Sequence, residues 1–197
     1  MGLIEAPSRL AEPVRPRRLT VAEFHRLGEV GVIGPEERLE LIEGDLVAMA
    51  PIGTRHASCV RTLSRRLHEA AGNRGLVAVQ DPLDLGGSET LPDLMLLQPR
   101  GDAYADAHPT PPDVRLLIEV SDTTTRYDRE VKLPLYAAAG VPEVWIVGLP
   151  ARLLRRHRRP IGAEYAEVLA LDTPAVLDVA GSFSIDCSGL FGAPAAA

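Results

Sequence analysis

Two carboxylates stand where carboxylates are uncommon. Asp93 opens the apolar run Leu94-Met-Leu-Leu97, and Glu119 sits near the end of another, Val114 to Val120. An ionised carboxylate inside such a run is costly to bury without a compensating partner. Taken singly, either residue can simply point to solvent at a strand end. Taken together, they suit a divalent ion that prefers hard oxygen ligands, Mg²⁺ or Mn²⁺, and that keeps positions open for water and phosphate.

A third group is marked by composition. The chain carries 20 arginines and a single lysine, Lys132. Arginine-rich usage lets a lysine that only supplies charge drift to arginine, so the one that remains is a candidate for work that needs a compact amine. Lys132 follows Glu119 by 13 residues. A turn through Ser121-Asp-Thr-Thr-Thr125 and a helix packed back on the sheet can return it to Glu119. The plainer reading pairs it with Asp128, one helical turn earlier.

The elements that must position these groups follow from patterning. Thr20 and Glu23 have capping-box spacing, so a short helix is expected over Val21 to Leu27. Arg38 to Met49 reads as a hairpin turning near Gly44. Val60, Leu63, Leu67 and Ala70 make one stripe of a helix over residues 55 to 71, ended by Gly72 and Gly75. Strands are expected over Leu76 to Val79, Asp93 to Leu97, Val114 to Val120 and Glu143 to Val147, the inner ones covered on both faces. A helix over Arg126 to Ala139 should be kinked by Pro134 and closed by Gly140. Arg152 to Tyr165 and Glu167 to Val179 read as a loose set of later strands. The sum is a mixed α/β (α+β) domain, a central mixed sheet flanked by helices, over residues 18–191. Residues 1–17 read as a flexible arm and 192–197 as a tail.

Several segments resemble the Uma2 family of the PD-(D/E)XK nuclease superfamily, which has the restriction-endonuclease-like fold. They are Glu40-Leu-Ile-Glu-Gly-Asp-Leu, His56 at the opening of a helix, Pro92-Asp93-Leu, and above all the stretch from Glu119 through Asp128, Lys132, Tyr136 and Gly140 to Trp145. The resemblance spans about residues 18 to 190. It implies that Asp93 and Glu119 bind the metal, that Glu40 completes the metal shell or orients water, and that Lys132 is catalytic. The plain superfamily pattern has a lysine two residues after the glutamate. Here that position is Ser121, and Lys132 is the implied substitute. His56, four residues before Val60, can reach the site from the helix start, or serve as a core or capping histidine. With carboxylates near it, Lys132 is expected to stabilise charge rather than accept a proton.

The function expected is a Mg²⁺- or Mn²⁺-dependent endonuclease acting on DNA, as a homodimer if both strands are cut. The alternative is a nucleic-acid-binding or regulatory module that keeps the fold without cleaving. A net charge of −6 argues against broad non-specific nucleic-acid binding, though local patches can act against it. Arg61, Arg65, Ser121 and Arg126, with the later run Arg152, Arg155, Arg156, Arg158 and Arg159, are the candidate phosphate contacts; the plainer reading of an arginine-rich stretch is a solvated face. Tyr127 and Tyr136 read as packing groups. Cys59 and Cys187 lack metal or redox spacing and read as core residues of a reducing compartment. No apolar run approaches the roughly 20 residues of a membrane span, and the N-terminus lacks signal-peptide features, so a soluble cytoplasmic protein is expected.

Overall fold

Alternation along the central strands supplies two cores, one on each face of a sheet, in the computed structural model, which describes residues 17–173, 175–179 and 181–191. The chain runs through α1 (Val21–Glu29), the hairpin β1 (Leu39–Ile42) and β2 (Asp45–Ala48), α2 (Thr54–Ala71), β3 (Leu76–Val79), and the two-residue strands β4 (Leu83–Asp84) and β5 (Glu89–Thr90). Next come β6 (Leu94–Leu97) and β7 (Val114–Ser121). A broken helix follows: α3 (Thr125–Tyr127), a π-helical turn (Asp128–Lys132) and α4 (Leu133–Ala138). The last strands are β8 (Glu143–Gly148), β9 (Leu153–Ile161), β10 (Glu164–Leu171), β11 (Val176–Val179) and β12 (Phe183–Asp186). The expected arm and tail lie outside the described residues, except for Arg17, which pairs with Glu23.

The main sheet is six-stranded in the order β10-β9-β8-β7-β6-β3. Only the β7–β8 pair is parallel, and the broken helix makes the crossover between them. Leu94, Leu96, Leu116, Ile118 and Val120 face α2 and the β11–β12 hairpin. Met95, Leu97, Leu117, Val144 and Ile146 face α4 through Tyr136 and Ala137. Both faces are covered, which is why these strands read as unbroken apolar runs. Cys59 and Cys187 are free and buried in the first core.

A second sheet, β2-β1-β5-β4, stands beside the first. Its hairpin turns through Glu43 and Gly44, both at positive φ (48° and 89°), the two-residue turn that matches strand twist. A Cβ on Gly44 would stand 2.4 Å from that of Arg18, so the close approach also requires glycine.

Two expectations are corrected in detail. The late strands divide at Gly162 (φ 59°) into the β9–β10 hairpin, and β12 lies beyond the set anticipated. The helix expected as one kinked piece instead widens into the π turn before Pro134. Pro134 has no N–H to give Glu130 and its ring crowds that carbonyl, so the preceding turn opens: Leu133 N–H bonds the Asp128 carbonyl, five residues back. Among the described residues no helix is long and apolar enough to cross a membrane.

Candidate active site

The β6–β7 ladder pairs Leu94 with Ile118. One step further along this register, Asp93 faces Glu119, so two residues 26 apart in sequence share one end and one face of the sheet. β1 brings Glu40 from the smaller sheet, the first turn of α2 brings His56, and the π turn brings Lys132. Four of these five side chains are essentially shut off from solvent, with Glu40, Asp93, Glu119 and Lys132 at 2 %, 6 %, 3 % and 2 % exposure.

Asp93 is held from three directions. Its Oδ2 accepts from the Val120 backbone N–H and lies against His56 Nε2, both at 2.9 Å, while Gln80 Nε2 donates to Oδ1 at 3.1 Å. Burial works to raise this carboxyl, but the bonds from His56, Val120 and Gln80 hold it below the ordinary range. The bond to Asp93 in turn raises His56, against burial.

Lys132 Nζ lies between two carboxylates, 2.6 Å from Glu119 Oε1 and 2.9 Å from Glu40 Oε1. Glu119 Oε1 also accepts from the Tyr136 hydroxyl at 2.6 Å, and Glu40 Oε1 from the Leu91 N–H at 2.8 Å. Asp128 does not pair with Lys132. Its Oδ2 accepts from Ser121 Oγ and Thr124 Oγ1, both at 2.7 Å, and so ties the end of β7 to the start of the helix. The position where the superfamily pattern has lysine thus holds the loop. Burial alone would lower the Lys132 amine, but Glu119, Tyr136, Glu40 and Asp128 raise it well above its ordinary value, so it stays an ammonium.

These groups line a cavity of about 340 Å³, the size of a small-ligand site. Five carboxylates, Glu40, Asp93, Glu119, Asp122 and Asp128, face Lys132, Arg38 and the His56 ring in it. Burial pushes Glu119 up to about 8 despite Lys132, with Asp93, Asp128 and Glu40 adding to the effect. The cavity holds more carboxyl groups than cations, and a divalent ion, which hard oxygen ligands of this kind fit, would hold Glu119 ionised. Two buried polar atoms in the lining, His56 Nδ1 and the Tyr127 hydroxyl, have no protein partner. Glu40, Asp93 and Glu119 do not, however, form a set of three ligand atoms within 4.8 Å of one another; among the described residues only His25, Glu89 and His108 do. Glu40 and Glu119 instead share the Lys132 ammonium.

The candidate phosphate contacts are not gathered here. Ser121 is fully buried and cannot meet a substrate. Arg61 and Arg65 lie on the outer side of α2, Arg65 paired with Glu69, and Arg126 pairs with Glu130. None of these arginines lines the cavity. In the later run, Arg156 and Arg158 pair with Asp178, Arg158 with Glu143, and Arg159 with Glu167, while Arg152 bonds the Phe191 carbonyl. The arginine at the cavity is Arg38, with Arg55 nearby, 4.0 Å from Asp122.

Sequence reasoning missed Gln80, Arg38 and the polar use of Tyr136 and Tyr127. Tyr136 had a readable signal, four residues after Lys132 and so on the same helix face. Tyr127 is five residues before Lys132, a spacing that shares a face only in a π turn. Gln80 follows β3 at φ 56°, a turn position with no sequence mark.

The sequence profile of the Uma2 family, described as "Putative restriction endonuclease", matches residues 21–188. A solved structure described as "a putative nuclease belonging to DUF820", from Anabaena variabilis, is similar in fold. Its TM-score is 0.65 at 16 % identity, over 88 % of this chain and 97 % of that one. Among proteins of curated function, none matches in sequence.

Proposed function

This chain belongs to the Uma2 family, a nuclease family, and from that premise we propose that it is a metal-dependent endonuclease cleaving phosphodiester bonds in DNA, with the cavity around Asp93, Glu119 and Lys132 as its active centre. The observation that carries the reading is the surplus of buried carboxylate at Asp93 and Glu119 beside an ammonium, all opening on one cavity. Neither a packing core nor a plain binding surface needs that arrangement, because buried charge without full compensation is costly.

Asp93 and Glu119 would hold Mg²⁺ or Mn²⁺, which when bound supplies Lewis acidity toward a phosphodiester oxygen and lowers the pKa of water. The remaining roles belong to the protein. Gln80, His56 and the Val120 N–H fix Asp93, so it meets its ligand without reorganising. Glu40 and Glu119 engage two of the three Lys132 N–H groups, which leaves one for a phosphate oxygen as charge builds on it. An amine raised this far serves as a charge stabiliser, not as a base. The unpartnered Tyr127 hydroxyl is a second donor to substrate. Arg38 at the cavity suits a phosphate further along the strand.

Cutting both strands of a duplex takes two such sites, and a homodimer supplies them. The β10 edge, with Val168 58 % and Leu169 40 % exposed, is the surface offered for pairing. Light scattering checks the assembly.

The direct test is cleavage of supercoiled plasmid, and of an RNA of similar length, with Mg²⁺, Mn²⁺ or EDTA, by wild type beside Asp93→Asn. Nicking of DNA by wild type alone, lost in EDTA, is expected. Equal cleavage by both proteins would remove the site assignment. Tight DNA binding without cleavage by either would establish the non-cleaving module instead.

A further inference from the structure

We propose a second metal centre, for Zn²⁺, built from His25, Glu89 and His108. None of the three lines the active-site cavity, and the proposal does not rest on the nuclease reading. They come from three separate parts of the chain: α1, β5 and the segment before Thr110. His25 Nε2 stands 2.6 Å from Glu89 Oε2. The His108 ring meets the His25 ring edge-on, with centroids 5.6 Å apart and planes at 74°. One ligand atom from each residue lies within 4.8 Å of the other two.

Glu89 is buried, at 5 % exposure, and a buried carboxylate needs compensation. A hydrogen bond from His25 would supply it in part, but it gives no reason for a second imidazole nitrogen to converge on the same group. A metal does. Bonds of about 2.0–2.2 Å to nitrogen and oxygen set tetrahedral ligands roughly 3.4 Å apart. Reaching that from the present positions takes a shift of about an ångström in the rings. The histidines have that freedom: the His25 side chain is 40 % exposed and His108 is at the surface. Two imidazoles and one carboxylate suit Zn²⁺ and disfavour Mg²⁺, which prefers oxygen ligands and retained waters. The fourth position is left to water.

The scaffold around the three ligands is fixed. Thr20 and Glu23 cap α1 reciprocally. The Asp84 N–H donates to the Pro109 carbonyl at 3.1 Å, pinning the residue next to His108 against β4. Glu89 pairs with Leu41 across the smaller sheet, beside Glu40. A metal here would staple α1, β5 and the 98–113 segment together, closing loops of more than sixty and eighty residues from His25. It would thereby brace the strand that supplies Glu40 to Lys132.

The test uses the full chain, stripped with chelator, in the Asp93→Asn background, which disables the active-site acid as a competing ligand. Isothermal titration with Zn²⁺ and thermal melts with and without Zn²⁺ are compared for Asp93→Asn and for Asp93→Asn with His108→Ala, and again with His108→Gln. His108 is exposed, so matching zinc-free melts will show that the variants fold. We expect one tight equivalent and a zinc-dependent rise in melting temperature in the parent. Both His108 variants should lose the rise and bind at least about 10–100-fold more weakly, the range seen when even an outer partner is removed. A tenfold excess of Mg²⁺ over Zn²⁺ should not displace the ion. No zinc bound by the parent, or equal binding by parent and His108 variants, would overturn the proposal.

Discussion

Charge is concentrated in two regions of this molecule, and the two are satisfied in opposite ways. β9 carries four arginines among its nine residues, Arg155, Arg156, Arg158 and Arg159, and lies one strand in from the β10 edge. Arg156, Arg158 and Arg159 each meet an acid, Asp178, Glu143 or Glu167, and Arg159 and Glu167 remain 71 % and 52 % exposed. At the other region, Lys132, Glu40 and Glu119 have side chains only 2–4 % exposed. Water screens the Arg159–Glu167 pair and makes it worth little, while Arg156 and Arg158 are mostly covered, at 17 % and 22 %, and Arg158 serves the buried Glu143. The second set sits in low dielectric, where removing one member leaves the others stranded. A dense run of like charges along a strand is therefore a largely paired and only partly solvated set here, and the sparse buried set is the one that lines the cavity.

The comparison gives a graded set of expectations. Asp93→Asn should lower cleavage by about 10²–10³-fold or more, because it removes a ligand and leaves Gln80, His56 and the Val120 N–H aimed at a neutral group; initial plasmid-nicking rates check this. Lys132→Met should abolish cleavage and also cost about 3–5 kcal/mol of stability, since Glu40 and Glu119 then face each other unpaired. Urea unfolding measures the loss, and a change under 1 kcal/mol would break the contrast with β9. Tyr136→Phe, which deletes the buried hydroxyl on Glu119, should cost about 1–2 kcal/mol in the same assay.

On the β9 side the effects should shrink. Arg158→Ala leaves the buried Glu143 with the Trp145 Nε1 donor at 2.7 Å but without its cation, and about 1–3 kcal/mol is expected. Arg159→Ala should stay below about 1 kcal/mol, with cleavage unchanged in both variants. The same strand carries a pH effect of known sign. Burial, with Arg155 and Arg129 nearby, pushes His157 down to about 4 from an ordinary 6.5. The fold holds this ring neutral while the unfolded chain takes up a proton. Its contribution is fully present above about pH 6.5 and is lost as pH falls from there to about 4. His157→Phe should flatten the difference in urea midpoint between about pH 7 and pH 5; an unchanged difference would contradict the buried neutral ring.

The two regions also differ in what the sequence disclosed. Long elements with one dominant cause were legible: the capping box of α1, the stripe of α2, and the apolar runs of β6, β7 and β8. So were Asp93 at the start of one apolar strand and Glu119 near the end of another, because a carboxylate in an apolar run is conspicuous; that the antiparallel register brings them to one sheet end was not. The π turn was not legible, since proline foretells a disturbance but not whether the chain kinks or widens, and the role of Tyr127 depends on which. β4 and β5 are two residues each, too short for any period to register, yet they carry Glu89 and steady β1. The arginines of β9 were conspicuous for the wrong reason. Their acids, Asp178 and Glu167, lie on β11 and β10, and pairing across strands is invisible until the strands are placed.

The central claim is that the acid surplus around Lys132 is a metal-dependent catalytic centre. Crystals soaked in Mn²⁺ and measured for anomalous scattering test it most directly. A peak in contact with Asp93 and Glu119 is expected in wild type, absent in Asp93→Asn. No peak there at millimolar Mn²⁺, with Asp93 and Glu119 still disposed as described, would contradict it.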